Sequence, residues 1–185
     1  MKEYIKSGKA TINQYMSWEE IKEMYDSSLI DFQAHSHKHM AMFVDTKIEG
    51  LTNKNRMEAP ELYLYGELED NFPSFPKRGE YTGKAILIKK EFFNIFKEFY
   101  EKNIENKITD KNEILKKSQE FIDENKEYFS IESEAEYRKR IEEDFSENKK
   151  IIEKNLGNEV KFFCWPWGHR SKETIEVLKE LGVVG

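Results

Sequence analysis

Three segments of the chain have the spacing of amphipathic helices, and each is followed by a short apolar run. A serine stands at the predicted start of each helix: Ser17, Ser133 and Ser171. A glutamate three residues after each of the first two completes a capping box, in which side chain and backbone satisfy each other's free groups. Gly157 and Gly182 are predicted to end the second and third helices, because glycine readily adopts the left-handed C-terminal conformation.

The apolar runs after these helices are residues 29–34, 160–165 and 183–184. A repeated order of helix and strand is typical of a parallel sheet or barrel, so the pattern predicts an α/β fold. We expect residues 29–34 and 160–165 to run parallel in one sheet. In such folds functional groups collect at the carboxyl ends of the strands.

Residues 46–130 separate the two regions and are interpreted as an insertion. After a turn-rich part, they predict a strand at 85–88 and two Lys/Glu-rich helices whose phenylalanines recur at helical spacing, which core packing explains. The Phe72–Arg78 segment is aromatic, stiffened by proline and basic at its end. An ordinary packed loop is the favoured interpretation, and a lid over a groove is the alternative.

Composition limits the classes of function. The chain has 185 residues, 38% of them hydrophobic and 14% aromatic, which supports a globular core. The net charge of −6, with basic and acidic residues interleaved, disfavours nucleic acid as a partner. No apolar stretch approaches the roughly 20 residues of a membrane span, and residues 1–6 lack the apolar core of a signal peptide.

Three of the four histidines lie within five residues, in the sequence His35-Ser36-His37-Lys38-His39, directly after a predicted strand. Neutral imidazole is the commonest metal ligand in proteins, and a loop at a strand end can direct His35 and His39 at one ion. Surface histidines in a polar turn are the alternative interpretation. The sequence thus marks His35 and His39 as candidate ligands.

A second motif, F-x-W-P-W-G, occupies Phe163–Gly168. The order of helix, strand, H-S-x-x-H and F-x-W-P-W-G resembles the NodB-like polysaccharide deacetylases, the family-four carbohydrate esterases. The resemblance covers roughly residues 10–45 and 130–185. It implies an α/β fold, a partial deformed (β/α) barrel of the polysaccharide deacetylase type, with the helical insertion at about 46–130.

The resemblance also implies a function. The family comprises hydrolases of non-peptide carbon–nitrogen bonds, often in the cell envelope or secreted, and it implies removal of acetyl groups from N-acetylglucosamine-type glycans. The implied cofactor is a divalent metal, usually zinc, held here by His35 and His39. The implied glycan-binding residues are Trp165, Pro166 and Trp167, and the backbone N–H of Trp167 is the implied oxyanion donor.

The chain departs from the family's pattern in three ways. It contains no Asp-Asp pair, which in the family supplies the general base and the third metal ligand, and no histidine after His169, where the family has its general acid. Cys164 stands where many relatives have an arginine. One partial deacetylase-like domain over residues 1–185 is therefore expected, with His169 as the candidate substitute ligand.

Two other function classes are open. The missing aspartates favour a non-catalytic carbohydrate-binding remnant of the deacetylase fold. The histidine cluster alone is consistent with a metal-binding protein unrelated to sugars, although such a protein has no use for the W-P-W-G segment. The lone Cys164 is predicted to be a buried, inert thiol, because it lies in an aromatic strand.

Overall fold

The computed structural model describes residues 16–53 and 70–185. The described residues form five α-helices: α1 Trp18–Asp26, α2 Lys90–Asn103, α3 Lys111–Glu124, α4 Glu134–Leu156 and α5 Lys172–Glu180. Short 3₁₀ turns lie at Lys126–Tyr128 and Pro166–Gly168. Residues 54–69, in the turn-rich part of the predicted insertion, fall outside the described residues.

The predicted helix starts and the glycine that ends α4 are confirmed. Ser17 and Ser133 form complete capping boxes, and the Ser171 side chain accepts from the Thr174 N–H at the start of α5. Gly157 closes α4 with φ of +71°, a conformation that a side chain would strain. The two helices predicted inside residues 46–130 are α2 and α3.

The strands are short and pair in three antiparallel sheets of two strands each. The strands are β1 Ala41–Phe43, β2 Gly50–Leu51, β3 Pro73–Ser74, β4 Lys77–Gly79, β5 Ile86–Ile88 and β6 Phe129–Ile131. Strand β1 pairs with β4, β2 with β3, and β5 with β6. The strand predicted at 85–88 is thus confirmed as β5.

The predicted parallel direction is confirmed by an isolated bridge between Ala34 and Phe163, but residues 29–34 and 160–165 do not form the two strands that were predicted. Ala34 donates to the Phe162 carbonyl at 3.2 Å, and Cys164 donates to the Ala34 carbonyl at 2.9 Å. On its other side, Phe163 donates to the Gly185 carbonyl at 3.0 Å. The mixed α/β class is correct, but these pairings are brief, and the described strands do not close into a barrel.

Two hydrophobic cores support this arrangement. The first lies between α4, α5 and the parallel segments, and its buried members are Ala34, Tyr81, Tyr137, Ile141, Phe145, Val160, Phe163, Val177, Leu178 and Val183. The second packs α2 and α3 against the antiparallel strands, with Phe43, Ile48, Phe75, Phe92, Phe96 and Ile122 buried. Within the described ranges, no helix has the length and apolar character needed to cross a membrane.

Candidate functional site

The histidine loop, residues 35–40, begins where the parallel bridge ends. His35 lies next to the downstream motif, since its Nδ1 is 2.7 Å from the Cys164 carbonyl oxygen. A carbonyl only accepts, so this contact assigns the proton of a neutral His35 ring to Nδ1. The Nε2 lone pair is then available, and a second nitrogen held in this way is the usual arrangement of a metal-binding histidine.

His39 lies close to His35 in an uncommon backbone conformation. The two ring centroids are 4.9 Å apart, and the His39 φ is +51°. The His39 N–H donates to Ser36 Oγ at 2.9 Å. Burial and the neighbouring His35 lower the pKa of His39 below its ordinary value. His37, between them in sequence, is exposed.

Trp167 brings the second motif to the histidine pair. Its ring centroid is 4.1 Å from that of His39, and 46% of the residue remains exposed. Its φ of +53° places it in the left-handed region within the 3₁₀ turn. The Trp167 backbone N–H makes no hydrogen bond to any described residue. The two motifs, which are far apart in sequence, therefore meet through His39 and Trp167.

The residues just before Trp167 turn toward the core. Trp165 packs edge-on against Phe163, with ring centroids 5.0 Å apart, and Pro166 is buried. Their glycan contacts stay predictions, and the geometry favours a supporting role. The prediction of a buried Cys164 is wrong: its thiol is exposed, because Phe163 is the residue of this segment that turns inward.

His169 faces the same region but with a different hydrogen-bonding state. The Gly79 N–H donates to His169 Nδ1 at 3.0 Å. A neutral His169 ring therefore carries its proton on Nε2, so neither nitrogen offers a lone pair to an ion. This bond leaves His169 with an Nε2–H group that can donate to a bound molecule. The geometry does not support the predicted role of His169 as a third metal ligand.

A cleft of about 270 Å³ adjoins Trp167. Its lining residues are Ala41, Glu49, Lys77, Arg78, Gly79, Trp167 and His169. The basic end of the Phe72–Arg78 segment thus forms one wall. The rest of that segment is packed, since Phe75 is fully buried in the second core. The favoured prediction of an ordinary packed loop is thus confirmed in its packing and wrong in its structure, because the segment contains β3 and the start of β4.

A layer of buried polar side chains under the histidine loop was missed by the sequence reasoning. Asp144 of α4 is 2% exposed and accepts from the backbone N–H groups of His37 and Lys38, each at 3.0 Å. Glu80 accepts from the Met40 N–H at 2.9 Å. Burial first, and then the charge of Asp144, raise the pKa of Glu80 to about 7.

Weak signals for this layer exist in the sequence. Asp144 and Asn148 continue the apolar stripe of α4, at three and seven positions after Ile141. A polar residue at an inward helical position needs a hydrogen-bond partner. Asn148 finds one in the His35 N–H, at 3.3 Å.

Two of the residues present have the chemistry that a metal site would require. His35 and His39 have ring nitrogens that can bind a metal, and their rings lie close together. Within residues 16–53 and 70–185, no group of three His, Cys, Asp or Glu side chains is arranged to hold an ion. Catalytic zinc sites usually have three protein ligands. The described geometry thus fits two ligands of such a site.

Gly79 gives a test of this arrangement. A Cβ at position 79 would lie 2.9 Å from Trp167 Cε3 and 3.3 Å from His169 Cβ. We expect Gly79→Ala to displace the Trp167 ring from His39 and to reduce the free energy of unfolding by about 1–3 kcal/mol. The indole N–H resonance of Trp167 and urea unfolding measure the two effects.

The matched control is Gly83→Ala, because a Cβ there meets nothing within 4 Å. It should leave the Trp167 resonance in place. An unchanged resonance in Gly79→Ala would contradict the close packing of Gly79 against Trp167.

Comparison with known proteins agrees with this geometry. Residues 103–185 match the sequence model of the polysaccharide deacetylase family. The predicted resemblance to the polysaccharide deacetylases is confirmed, but the matched segment begins at residue 103, inside the predicted insertion, and does not include residues 10–45. The matched deacetylase segment contains α4, Trp167 and His169, and the histidine loop is attached to it through Asp144 and Asn148.

Two solved structures share the deacetylase fold. A de-N-acetylase from Aggregatibacter actinomycetemcomitans aligns with a TM-score of 0.51 at 16% identity, over 95% of this chain and 43% of its own. The BpsB deacetylase domain from Bordetella bronchiseptica aligns with a TM-score of 0.52 at 16% identity, over 91% of this chain and 40% of its own. The chain thus spans about two fifths of each. A search of curated proteins gave no match.

Proposed function

We propose that this chain contributes His35, His39 and Trp167 to the active site of a metal-dependent polysaccharide N-deacetylase that acts on N-acetylglucosamine-type glycans. The observation that carries the proposal is the meeting of two distant motifs: His35 bonds to the Cys164 carbonyl, and His39 lies against Trp167. The family match and the deacetylase fold support the reaction class. We further propose that the parallel segments belong to a deformed barrel.

Zinc is the metal proposed for His35 and His39. When bound, zinc supplies Lewis-acid activation of an acetamide carbonyl and of water. The chain's own contribution is orientation, because the Cys164 carbonyl fixes the ring and the tautomer of His35. His39 is oriented by its turn, through the bond from its N–H to Ser36 Oγ.

The other residues of the site act on the glycan. The Trp167 N–H, which has no bond within the described residues, is proposed to donate to the oxyanion formed during deacetylation. The exposed indole of Trp167 offers an apolar face on which a sugar ring can pack. The Nε2–H group of His169, which lines the same cleft as Trp167, is proposed as a further donor to the glycan.

Calorimetric titration with zinc tests the metal role. We expect the wild-type chain to bind one zinc ion weakly, since two ligands bind less firmly than three. His35→Ala and His39→Ala should each abolish the binding. His37→Ala is the matched control, because His37 lies in the same loop and is exposed. Equal binding by all four proteins would exclude the histidine pair as the site.

Acetate release from a chito-oligosaccharide, with zinc or cobalt present, tests the reaction. Because the sequence contains no Asp-Asp pair, we expect little turnover from these 185 residues. A missing general base alone typically costs about 10²–10⁴ in rate. Robust turnover that His39→Ala abolishes would place a base within this chain.

A non-catalytic carbohydrate-binding role is the second candidate. It is favoured by the absence of a three-ligand group among the described residues. This candidate predicts that the chain binds a chito-oligosaccharide equally well with zinc and with a chelator. It also predicts that Trp167→Ala weakens the binding, whereas His39→Ala does not.

A further inference from the structure

Side-chain oxygens, rather than the carbonyls of a neighbouring strand, accept from the backbone N–H groups of the histidine loop. Five of its N–H groups donate to side-chain oxygens: His35 to Asn148, His37 and Lys38 to Asp144, His39 to Ser36, and Met40 to Glu80. Loops usually leave many of their N–H groups to water. The position of this loop is therefore fixed by four side chains: Asn148, Asp144, Ser36 and Glu80.

Asp144 makes the largest contribution to this set. Its Oδ1 accepts from Lys38 and its Oδ2 from His37, each at 3.0 Å, and Oδ2 also accepts from the Tyr81 hydroxyl at 2.7 Å. The carboxylate is 2% exposed and makes no ion pair with a described residue. A buried carboxylate without a cation is costly, and these three hydrogen bonds offset the cost.

The two amides that Asp144 holds lie between the candidate ligands. His37 and Lys38 connect His35 to His39, so the position of their backbone sets the separation of the two rings, now 4.9 Å between centroids. The turn also keeps His39 at a positive φ, which a non-glycine residue adopts only when its surroundings impose it. Displacement of the two amides would therefore separate the rings.

We propose that Asp144 is a positioning residue, whose buried carboxylate sets the distance between His35 and His39 for metal binding. The inference rests on the proposed metal role of the two histidines. Asp144 acts on the metal site through the loop backbone, without touching either ring. Its loss should therefore weaken metal binding even in a chain that remains folded.

The test is zinc affinity of Asp144→Asn, measured by calorimetry at a temperature where circular dichroism shows the variant to be folded. Asparagine keeps the shape but turns an N–H₂ group toward one of the donors. Loss of a group that orients ligands typically lowers metal affinity about 10–100-fold, and we expect a loss in that range. With cobalt as the probe, the visible spectrum should also change, because it reports ligand geometry.

The matched control is Glu143→Gln, which removes one negative charge from the adjacent, exposed position of α4. Its zinc affinity and cobalt spectrum should equal those of the wild type. If Asp144→Asn fails to fold, Asn148→Ala replaces it as the test. That variant removes only the acceptor of the His35 N–H, and a loss of about tenfold, at the lower end of the same range, is expected.

The outcomes separate this inference from the proposed function. If the wild type binds zinc, His39→Ala does not, and folded Asp144→Asn binds as tightly as the wild type, the positioning role alone is overturned. If Asn148→Ala serves as the test, undiminished affinity overturns the mechanism on which the role rests, namely that the side-chain acceptors of the loop N–H groups set the separation of the two rings. If the wild type binds no zinc, the metal role of the histidine pair and the inference fail together.

Discussion

Arg140→Met is expected to lower the free energy of unfolding by about 3–5 kcal/mol, because it leaves a buried carboxylate without its cation. Arg140 donates from Nε and Nη2 to the two oxygens of Glu132, at 2.9 and 2.8 Å. Glu132 is only 5% exposed and also accepts from the Ala85 N–H. A further N–H group of Arg140 donates to the Glu80 carbonyl at 2.8 Å. Methionine preserves much of the apolar stem, so the loss reports the polar contacts.

Urea unfolding followed by circular dichroism measures the change, and Arg138→Met is the control. Arg138 lies two positions earlier on α4 and pairs with Glu142 and Glu180 at the surface. Exposed pairs contribute about 0–1 kcal/mol, so the control should change little. Equal losses in the two variants would contradict the structural role of Arg140. Adding Glu132→Gln to Arg140→Met should recover part of the stability, since it removes the uncompensated charge.

The helix ends could be predicted from the sequence because their determinants are local. The Ser133 and Glu136 side chains satisfy each other's backbone groups within a single turn, so four residues are enough to locate the start of α4. The parallel bridge of Ala34 and Phe163 followed from the order of helices and apolar runs. That order leaves few topologies open.

The antiparallel sheets could not be predicted in the same way. Strands β1 and β4 are three residues each, and Phe43 pairs with Lys77 across a long intervening segment. Such short strands give almost no alternation of apolar and polar positions, and no tight turn connects them. Their pairing depends on the second core, where Phe75 packs edge-on against Phe43.

The candidate site was predictable where the residue type itself carries the chemistry. His35 and His39 could be identified because three histidines within five residues form a recognisable cluster of metal ligands, and Trp167 was marked by the resemblance of its segment to the deacetylase signature. The role of Asp144 could not be predicted, because it depends on the N–H groups of the histidine loop, and the sequence does not show that this loop lies beside α4. Cys164 was misassigned because its neighbours are aromatic, whereas strand alternation determines which side chain is buried.

Glu80 is expected to make the native state less stable as the pH rises from 4.5 toward 7. Burial, and then the charge of Asp144, raise the pKa of the Glu80 carboxyl from 4.5 to about 7, although the Met40 N–H, Arg140 and Lys38 oppose the change. Below pH 4.5 the carboxyl is protonated in both the folded and the unfolded chain, so its contribution is fully present. It is lost as the pH passes through the native pKa, because ionisation is then costly only in the folded chain.

Glu80→Gln isolates this effect, because the amide oxygen still accepts from the Met40 N–H and the side chain does not ionise. At about 1.4 kcal/mol for each unit between the two pKa values, the variant should be more stable than the wild type by about 3 kcal/mol at pH 8 and nearly equal to it at pH 4.5. Urea unfolding at a series of pH values gives the difference directly, since every other titrating group is common to both proteins. Glu176→Gln, at an exposed position of α5, should leave the profile of the wild type unchanged. If the wild-type and Glu80→Gln profiles run parallel from pH 4.5 to 8, the Glu80 carboxyl has no raised pKa in the folded chain, and the hydrogen bond from the Met40 N–H and the positive charges of Arg140 and Lys38 must stabilise the ionised group beside Asp144.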